Sequence, residues 1–423
     1  MNETNSTKKP NFRLLIIAPI ALLVFALTVY FVFLNKGTLT VKVLPKNASV
    51  LVNNAPQTVN NSGIAKSRLI PGVHTLRITA DGYVPYYEQF RLKGGSVAEK
   101  NVELKTVPKA SLLDQSAALL GRYSDSQISY LGNNGQTINT LNGKLDENNQ
   151  VVIDQQKAIT GSSLWNIDDI VFSPDRQLAI LKKGSTAYLY DFNRYNIVGQ
   201  DIQLYGENIG NVVWSPDQSR LAYFHAPAVG EEFLVFADLL NESPKNILPL
   251  PNFVDPILQW SKNGEQILIV NQSGKSAENK VYLFDVYSRD LKTLTDFGGV
   301  LGGYFTDNDQ KILYFTEQND PKNPIKSVAS VMKIDGSDKK SLGINAYPEK
   351  VFIQNDQEII FLTYIAGRER LILVNTGEEN IVELYFEPPE PFNIEKVILQ
   401  EKNFLYLLAD SKLYGVKYQD NNY

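Results

Sequence analysis

The sequence predicts an all-β protein in which one transmembrane helix precedes a small β-sandwich and a β-propeller of about seven four-stranded blades. Three observations carry this prediction. Residues 14–34 form 21 consecutive uncharged residues. Residues 37–105 alternate apolar and polar positions between turn residues. From about residue 120 onward, a strand-turn-strand unit recurs at spacings of 49, 42, 46, 45, 47 and 47 residues, a period typical of propeller blades.

Composition narrows the function before any motif is considered. A chain of 423 residues with 43% hydrophobic content holds more than one core, and its 22 Tyr and 20 Phe suit strands. Its 41 Lys plus Arg against 46 Asp plus Glu leave a net charge of -5, which argues against nucleic acid as a partner. Without cysteine there is no disulfide, thiol nucleophile or thiolate metal site, and His74 and His225 are too few for a histidine-rich one. No cofactor is expected.

The segment "LLIIAPIALLVFALTVYFVFL", at ~1.5 Å per residue, crosses a hydrocarbon core of roughly 30 Å. A cleaved signal would have an apolar region of about 7–15 residues and a small-residue cleavage site. "VFLNKG" offers no such site, so the segment reads as an uncleaved anchor. Lys8, Lys9 and Arg13 before it balance Lys36, Lys42 and Lys46 after it, so flanking charge leaves the orientation open.

In residues 37–105, Leu39, Val41 and Val43, then Val50 and Val52, alternate with polar neighbours as strands do. Asn53-Asn54, Pro71-Gly72 and Asp81-Gly82 mark turns. The set Gly37, Leu39, Val41, Val50, Val52, Asn53, Pro71, Gly72, His74, Gly82 and Tyr83 resembles a PEGA domain, a bacterial surface module. It departs from the family at Asn54, where Gly is usual, and at Ile64-Ala65, where Thr-Pro is common. The resemblance implies a spacer or interaction module, with His74 structural. Residues 106–120, with Pro108 and a short apolar run, read as a linker that docks at least partly on the propeller.

The repeating unit is clearest at "VVWSPDQSRLAYF". Its counterparts are centred on Phe172, Trp260, Phe305 and Phe352, with weaker ones at Tyr123 and Leu399. An aromatic ends the inner strand, a polar turn reverses the chain, and the next strand is almost wholly apolar because neighbouring blades cover both its faces. A third strand ends near an acid in several units: Asp191, Asp238, Asp285 and Asp335. An ordinary β-sandwich would not explain the repeated period. Trp214-Ser215-Pro216-Asp217 with Leu221-Ala222-Tyr223 resembles the TolB-like propeller repeat, with Gln218 in place of the usual Gly. This resemblance extends from about residue 121 to 423. Six blades rather than seven stay open on sequence alone. The last unit lacks an outer strand, which either 106–120 or 150–160 is expected to supply.

Catalytic motifs are scarce. There is no G-x-S-x-G elbow, "SGKSAEN" lacks the first Gly of a phosphate loop, and "DNDQK" lacks the Gly and Glu of a calcium loop. The face carrying the loops that lead into each blade should present Trp165, Phe253, Phe297, Tyr347 and Phe392, with His225 and Tyr364 from the loops between second and third strands. Asp169, Asp255, Asp296 and Glu349 lie nearby in sequence. Aromatics among scattered acids suit sugar rings or peptide segments.

The resulting expectation is a non-catalytic scaffold on the cell membrane. Residues 1–13 would lie in the cytoplasm and the C-terminal domains outside, holding an envelope protein or cell-wall polymer. Two alternatives stand beside it: an enzyme acting on envelope polysaccharide or peptide through channel acids, and a structural envelope spacer.

Overall fold

A computed structural model describes residues 35–418, except 133–134, 161–163, 165–166, 195–201, 272–277, 319–324, 356, 366–367, 377–379, 388–392 and 402–403. The tail 1–13, the anchor 14–34, Trp165 and Phe392 lie outside the described residues. Among the described residues, no helix is long and apolar enough to cross a membrane. The chain divides into two compact units, with the boundary between Val107 and Pro108.

The first unit is a two-sheet sandwich. Gly37–Leu44 pairs antiparallel with Ile64–Leu69 and parallel with Val97–Glu103. The second sheet runs in the order Ala55–Gln57, Ser49–Val52, Gly72–Thr79, Tyr86–Leu92. The alternating residues Leu39, Val41, Val43, Val50, Val52, Leu76 and Ile78 meet in its core. Asn53 and Asn54 turn the hairpin at φ 49° and 63°. Asn tolerates this left-handed region, so the departure from Gly at position 54 leaves the turn intact. Gly37 is required for a different reason: a Cβ there would lie 2.6 Å from the Lys93 carbonyl.

Seven four-stranded blades make up the second unit among the described residues. Their inner strands are Ala118–Arg122, Asp169–Phe172, Ile209–Trp214, Ile257–Trp260, Val300–Thr306, residues 346–353 and Ile394–Glu401. The fifth and sixth blades share one long strand, Lys340–Ile353, whose first part pairs outward with Ser327–Lys333 and whose second part pairs with Glu358–Ile365. The seventh blade takes its outer strand from Ser111–Asp114, which pairs with Lys412–Lys417. Of the two stretches expected to supply that strand, the first does so; residues 151–158 instead form the outer strand of the first blade. Residues 111–114 belong to the last blade and residues from Ala118 to the first.

Among the described residues, seven apolar clusters lie between consecutive blades, and one of them joins the last blade to the first: Ile398, Tyr406 and Leu408 pack with Leu120, Ile128 and Tyr130. The second strands are buried on both faces, as in Leu221–His225 and Phe404–Ala409. Trp214 is 7% exposed and donates its indole N–H to the Val171 carbonyl of the preceding blade at 2.9 Å.

The polar turn is built by side chains. In the second, third and fourth blades a buried serine (Ser173, Ser215, Ser261) donates to Asp175, Asp217 or Asn263 at 2.6–2.7 Å. The same hydroxyl accepts the backbone N–H five residues on, at Leu178, Arg220 or Gln266. The residue after the Asp or Asn is left-handed: Arg176 at φ 63°, Gln218 at 61° and Gly264 at 76°. Where it is not glycine, its side chain reaches the turn of the preceding blade. Arg176 Nε donates to the Tyr123 carbonyl at 2.9 Å, and the Gln218 amide, with its nitrogen toward Asp175, is 2.9 Å from both carboxylate oxygens. The replacement of Gly by Gln218 therefore trades backbone ease for a link between blades. The acids near the third-strand ends accept backbone N–H groups in the next turn, as Asp191 does from Asn193 and Asp285 from Ser288.

Two substitutions test this account. Leu113 packs against the cluster that closes the ring, whereas Leu112 is 46% exposed. Urea unfolding should show Leu113→Asp losing about 2–3 kcal/mol and Leu112→Asp within about 0.5 kcal/mol of the parent. Ser215→Ala strands the Arg220 N–H and should cost about 1–2 kcal/mol; a loss below 0.3 or so would sink the assignment of the turn to this hydroxyl.

Candidate binding site

Strand direction places the loops leading into each blade and the loops between second and third strands together, on what is here called the upper face. The serine turns lie on the lower face. Counting from the anchor that ends each inner strand, the third residue back is Asp169, Asn211, Ile257, Gly302, Glu349 and Lys396 in blades two to seven. Of these, Asp169 and Lys396 line one cavity, whereas Ile257 packs on the cluster between the fourth and fifth blades.

A cavity of 430 Å³ occupies the channel beside blades six, seven, one and two. Asp169, Glu395 and Lys396 line it toward the upper end, and Arg122 and Gln354 toward the lower. Lys396 keeps an exposed surface, and protein encloses its amine only in part. That enclosure holds its amine below the ordinary lysine range, and the nearby Asp169 carboxylate partly opposes the shift. Its Nζ lies 6.0 Å from the Phe352 ring centroid. Burial also lowers the Arg122 guanidinium. On the fifth blade, Tyr304 is pushed up to about 12, first by burial and then by the Glu349 charge.

The residues expected on the upper face divide into those that meet and those that do not. Tyr347, Tyr364 and Glu349 come together with Glu369. Burial and then the two carboxylates and the Tyr364 hydroxyl raise the Tyr347 phenol. Tyr364 is 38% exposed and Glu349 is exposed, while Tyr347 rests partly buried on the cluster between blades six and seven. Asp169 faces the channel instead. Asp255 accepts from Asn211 at 3.1 Å and lines a shallow cavity with Asn208, Gly210 and Phe224. His225 is half-buried beside Tyr223, and burial lowers its imidazole. Phe253 packs inward on Tyr282 with ring centroids 5.2 Å apart.

Phe297 and Asp296 stand apart from that group. They lie on the flank of the ring, where Lys339 from the outer part of the fifth blade bridges them: its Nζ is 5.6 Å from the Phe297 ring and 3.2 Å from Asp296. The face thus contributes one joint cluster and separate single residues. Lys396 and Glu369 were missed by the sequence reading. Lys396 is recoverable from its offset from the anchor, because it is the counterpart of Asp169; Glu369 follows a strand hairpin and has no such signal. In the first unit, His74 is buried and bonded at both nitrogens, to Asn53 at 2.8 Å and the Ile70 carbonyl at 2.8 Å, so it is structural. Among the described residues no three His, Asp or Glu side chains are grouped to hold a metal ion.

Comparison with known proteins agrees with this architecture. Residues 36–108 match the PEGA domain. The fold is similar to Kuenenia stuttgartiensis hydrazine synthase, at TM-score 0.50 and 12% identity over 73% of this chain and 97% of that one. It is similar to oligogalacturonate lyase from Vibrio parahaemolyticus, at TM-score 0.50 and 9% identity over 73% and 91%. A putative TolB from Agrobacterium tumefaciens is found at TM-score 0.41 and 12% identity over 63% and 94%. No curated protein sequence matches the chain.

The channel lysine gives a test with a defined sign. A lysine whose folded value lies below the ordinary 10.5 leaves the unfolded chain binding more protons between the two values. Its penalty is therefore complete below that window and is relieved as pH rises through it. Lys396→Met should raise the urea midpoint at pH 7, and the gap to the parent should narrow toward about pH 10.5. A gap unchanged across that range would refute the enclosure of Lys396.

Proposed function

We propose that this chain, a PEGA domain joined to a seven-bladed propeller carrying TolB-like repeats, is a non-catalytic binding scaffold of the cell envelope. It is held at the membrane through residues 14–34 with both folded units outside. The observation that carries the reading is the cluster of Tyr347, Tyr364, Glu349 and Glu369 on the upper face. Two phenols with graded exposure and two carboxylates offer apolar area and hydrogen-bond acceptors on a support that is locked by packing on both sides. Such a surface suits a protein segment bearing basic or hydroxyl groups, or a polymer of sugar rings. The module pair supports an envelope setting.

Photo-cross-linking in cells from position 364, with mass spectrometry of the captured material, tests the reading directly. One recurrent protein or one wall polymer is the expected result, and Tyr364→Ala should weaken its binding about tenfold without altering the urea midpoint. Capture that is no more selective than from the exposed lower-face position Tyr287 (74% exposed) would count against a site here.

A second reading rests on a separate observation, the Asp169 and Lys396 pair in the channel cavity. On this view the channel acids act on an envelope polysaccharide or peptide. Incubation with wall polymer distinguishes the two: Asp169→Asn should abolish turnover if the channel is catalytic and leave upper-face binding untouched if it is not.

A further inference from the structure

On the lower face, away from the upper cluster, a cavity of 350 Å³ opens between the third and fourth blades. Arg220, Lys245 and Arg289 line it with Phe236, Asp238 and Ser243. Three cations thus face a single lining carboxylate in a protein whose net charge is -5. Asp238 is already engaged, since its Oδ1 accepts the Glu242 N–H at 3.0 Å. Asp217 adjoins Arg220 from outside the cavity, where Ser215 and Ser219 hold it as an ion. Among the lining residues positive charge is in excess, with Asp217, Glu242, Asp285 and Asp290 adjoining them in the chain.

The Arg220 side chain is held in an unusual way. Its guanidinium lies 5.5 Å from the Phe236 ring centroid and 5.6 Å from that of Trp260, and these two rings stack at 5.3 Å. The aromatic pair confines the group, and its Nε is buried and has no hydrogen-bond partner. Among the described residues no ion pair engages Arg220, Lys245 or Arg289. A buried donor without an acceptor is costly, and with Nε out of reach Arg220 can meet the cavity only through its terminal Nη groups, which suit a bidentate oxyanion.

We infer that this pocket between blades three and four binds a phosphate group, with Arg220 as its oriented receptor and Lys245 and Arg289 as its charge. A carboxylate would neutralise only one cation, whereas a phosphate offers several acceptor oxygens to three. The cavity is larger than a bare ion requires, so a phosphate carried on a small organic group fits its size class. The inference is independent of the upper-face reading, because it involves other residues on the opposite face.

The experiment uses the full chain in neutral detergent and follows its unfolding temperature. Inorganic phosphate and a soluble glycerophosphodiester are titrated separately, micelles are doped with phosphatidylglycerol in a third arm, and acetate serves as the control. A saturable rise with phosphate or the diester, absent with acetate, is expected. Arg220→Gln should weaken the apparent affinity at least about tenfold. The double variant Lys245→Ala/Arg289→Ala, whose side chains are exposed and unneeded for packing, should do the same if Arg220→Gln fails to fold. A rise seen only with phosphatidylglycerol and lost in the double variant keeps the phosphate site and identifies a lipid headgroup as its source. No saturable rise in any arm, or a rise that acetate or the double variant reproduces, overturns the inference.

Discussion

Burial of sheet faces between neighbouring blades is the interaction on which the propeller depends. A single four-stranded blade here has a second strand apolar on both sides, such as Phe404–Ala409, and cannot hide both alone. Seven clusters shared pairwise around the ring solve this, provided that the last blade meets the first. The short strand Ser111–Asp114 secures that meeting: it completes the seventh blade, and the chain then runs directly into the inner strand of the first. Ring closure thus lies in the pairing of segments about 300 residues apart, and the buried area of every other blade depends on it.

The serine turns transmit the same constraint locally. Each turn satisfies its own backbone donors through a hydroxyl and an Asx side chain. The left-handed residue then extends a side chain to the blade before it, as Arg176 and Gln218 do. Where the repeat decays, other groups take over the task. Gln354 of the sixth blade donates to the Val397 carbonyl and accepts the Leu399 N–H of the seventh. The degenerate repeats keep the function of the motif, a polar link between successive inner strand ends, after losing its letters.

Charge is distributed by the same geometry. Inner-strand residues of several blades line one channel cavity, so charges such as Asp169 and Lys396 meet there. The protein around Lys396 lowers its amine, and Asp169 is the carboxylate that partly offsets this. On the upper face the acids stay solvated and bias the tyrosines beside them, and on the lower face cations gather where aromatic rings hold an arginine. The three regions are chemically distinct although one repeat builds them all.

The propeller, the order of its repeats and the strands within them were legible in the sequence, because period, alternation and turn residues are properties of neighbouring positions; the choice of seven blades over six was not. So was the core of the first unit, from Leu39 to Ile78, together with the structural role of His74. The upper-face residues were legible as a set but not as a site. Tyr347, Glu349 and Tyr364 meet, whereas Phe253 turns into the core and Phe297 lies on the flank with Lys339. Ring closure by 111–114, the Asp169 and Lys396 neighbourhood, and the gathering of Arg220, Lys245 and Arg289 were decided only by the tertiary structure. The reason is physical: local pattern determines which way a side chain points relative to its own strand, while the partner it meets depends on how blades far apart in the chain are rotated against one another when the ring closes.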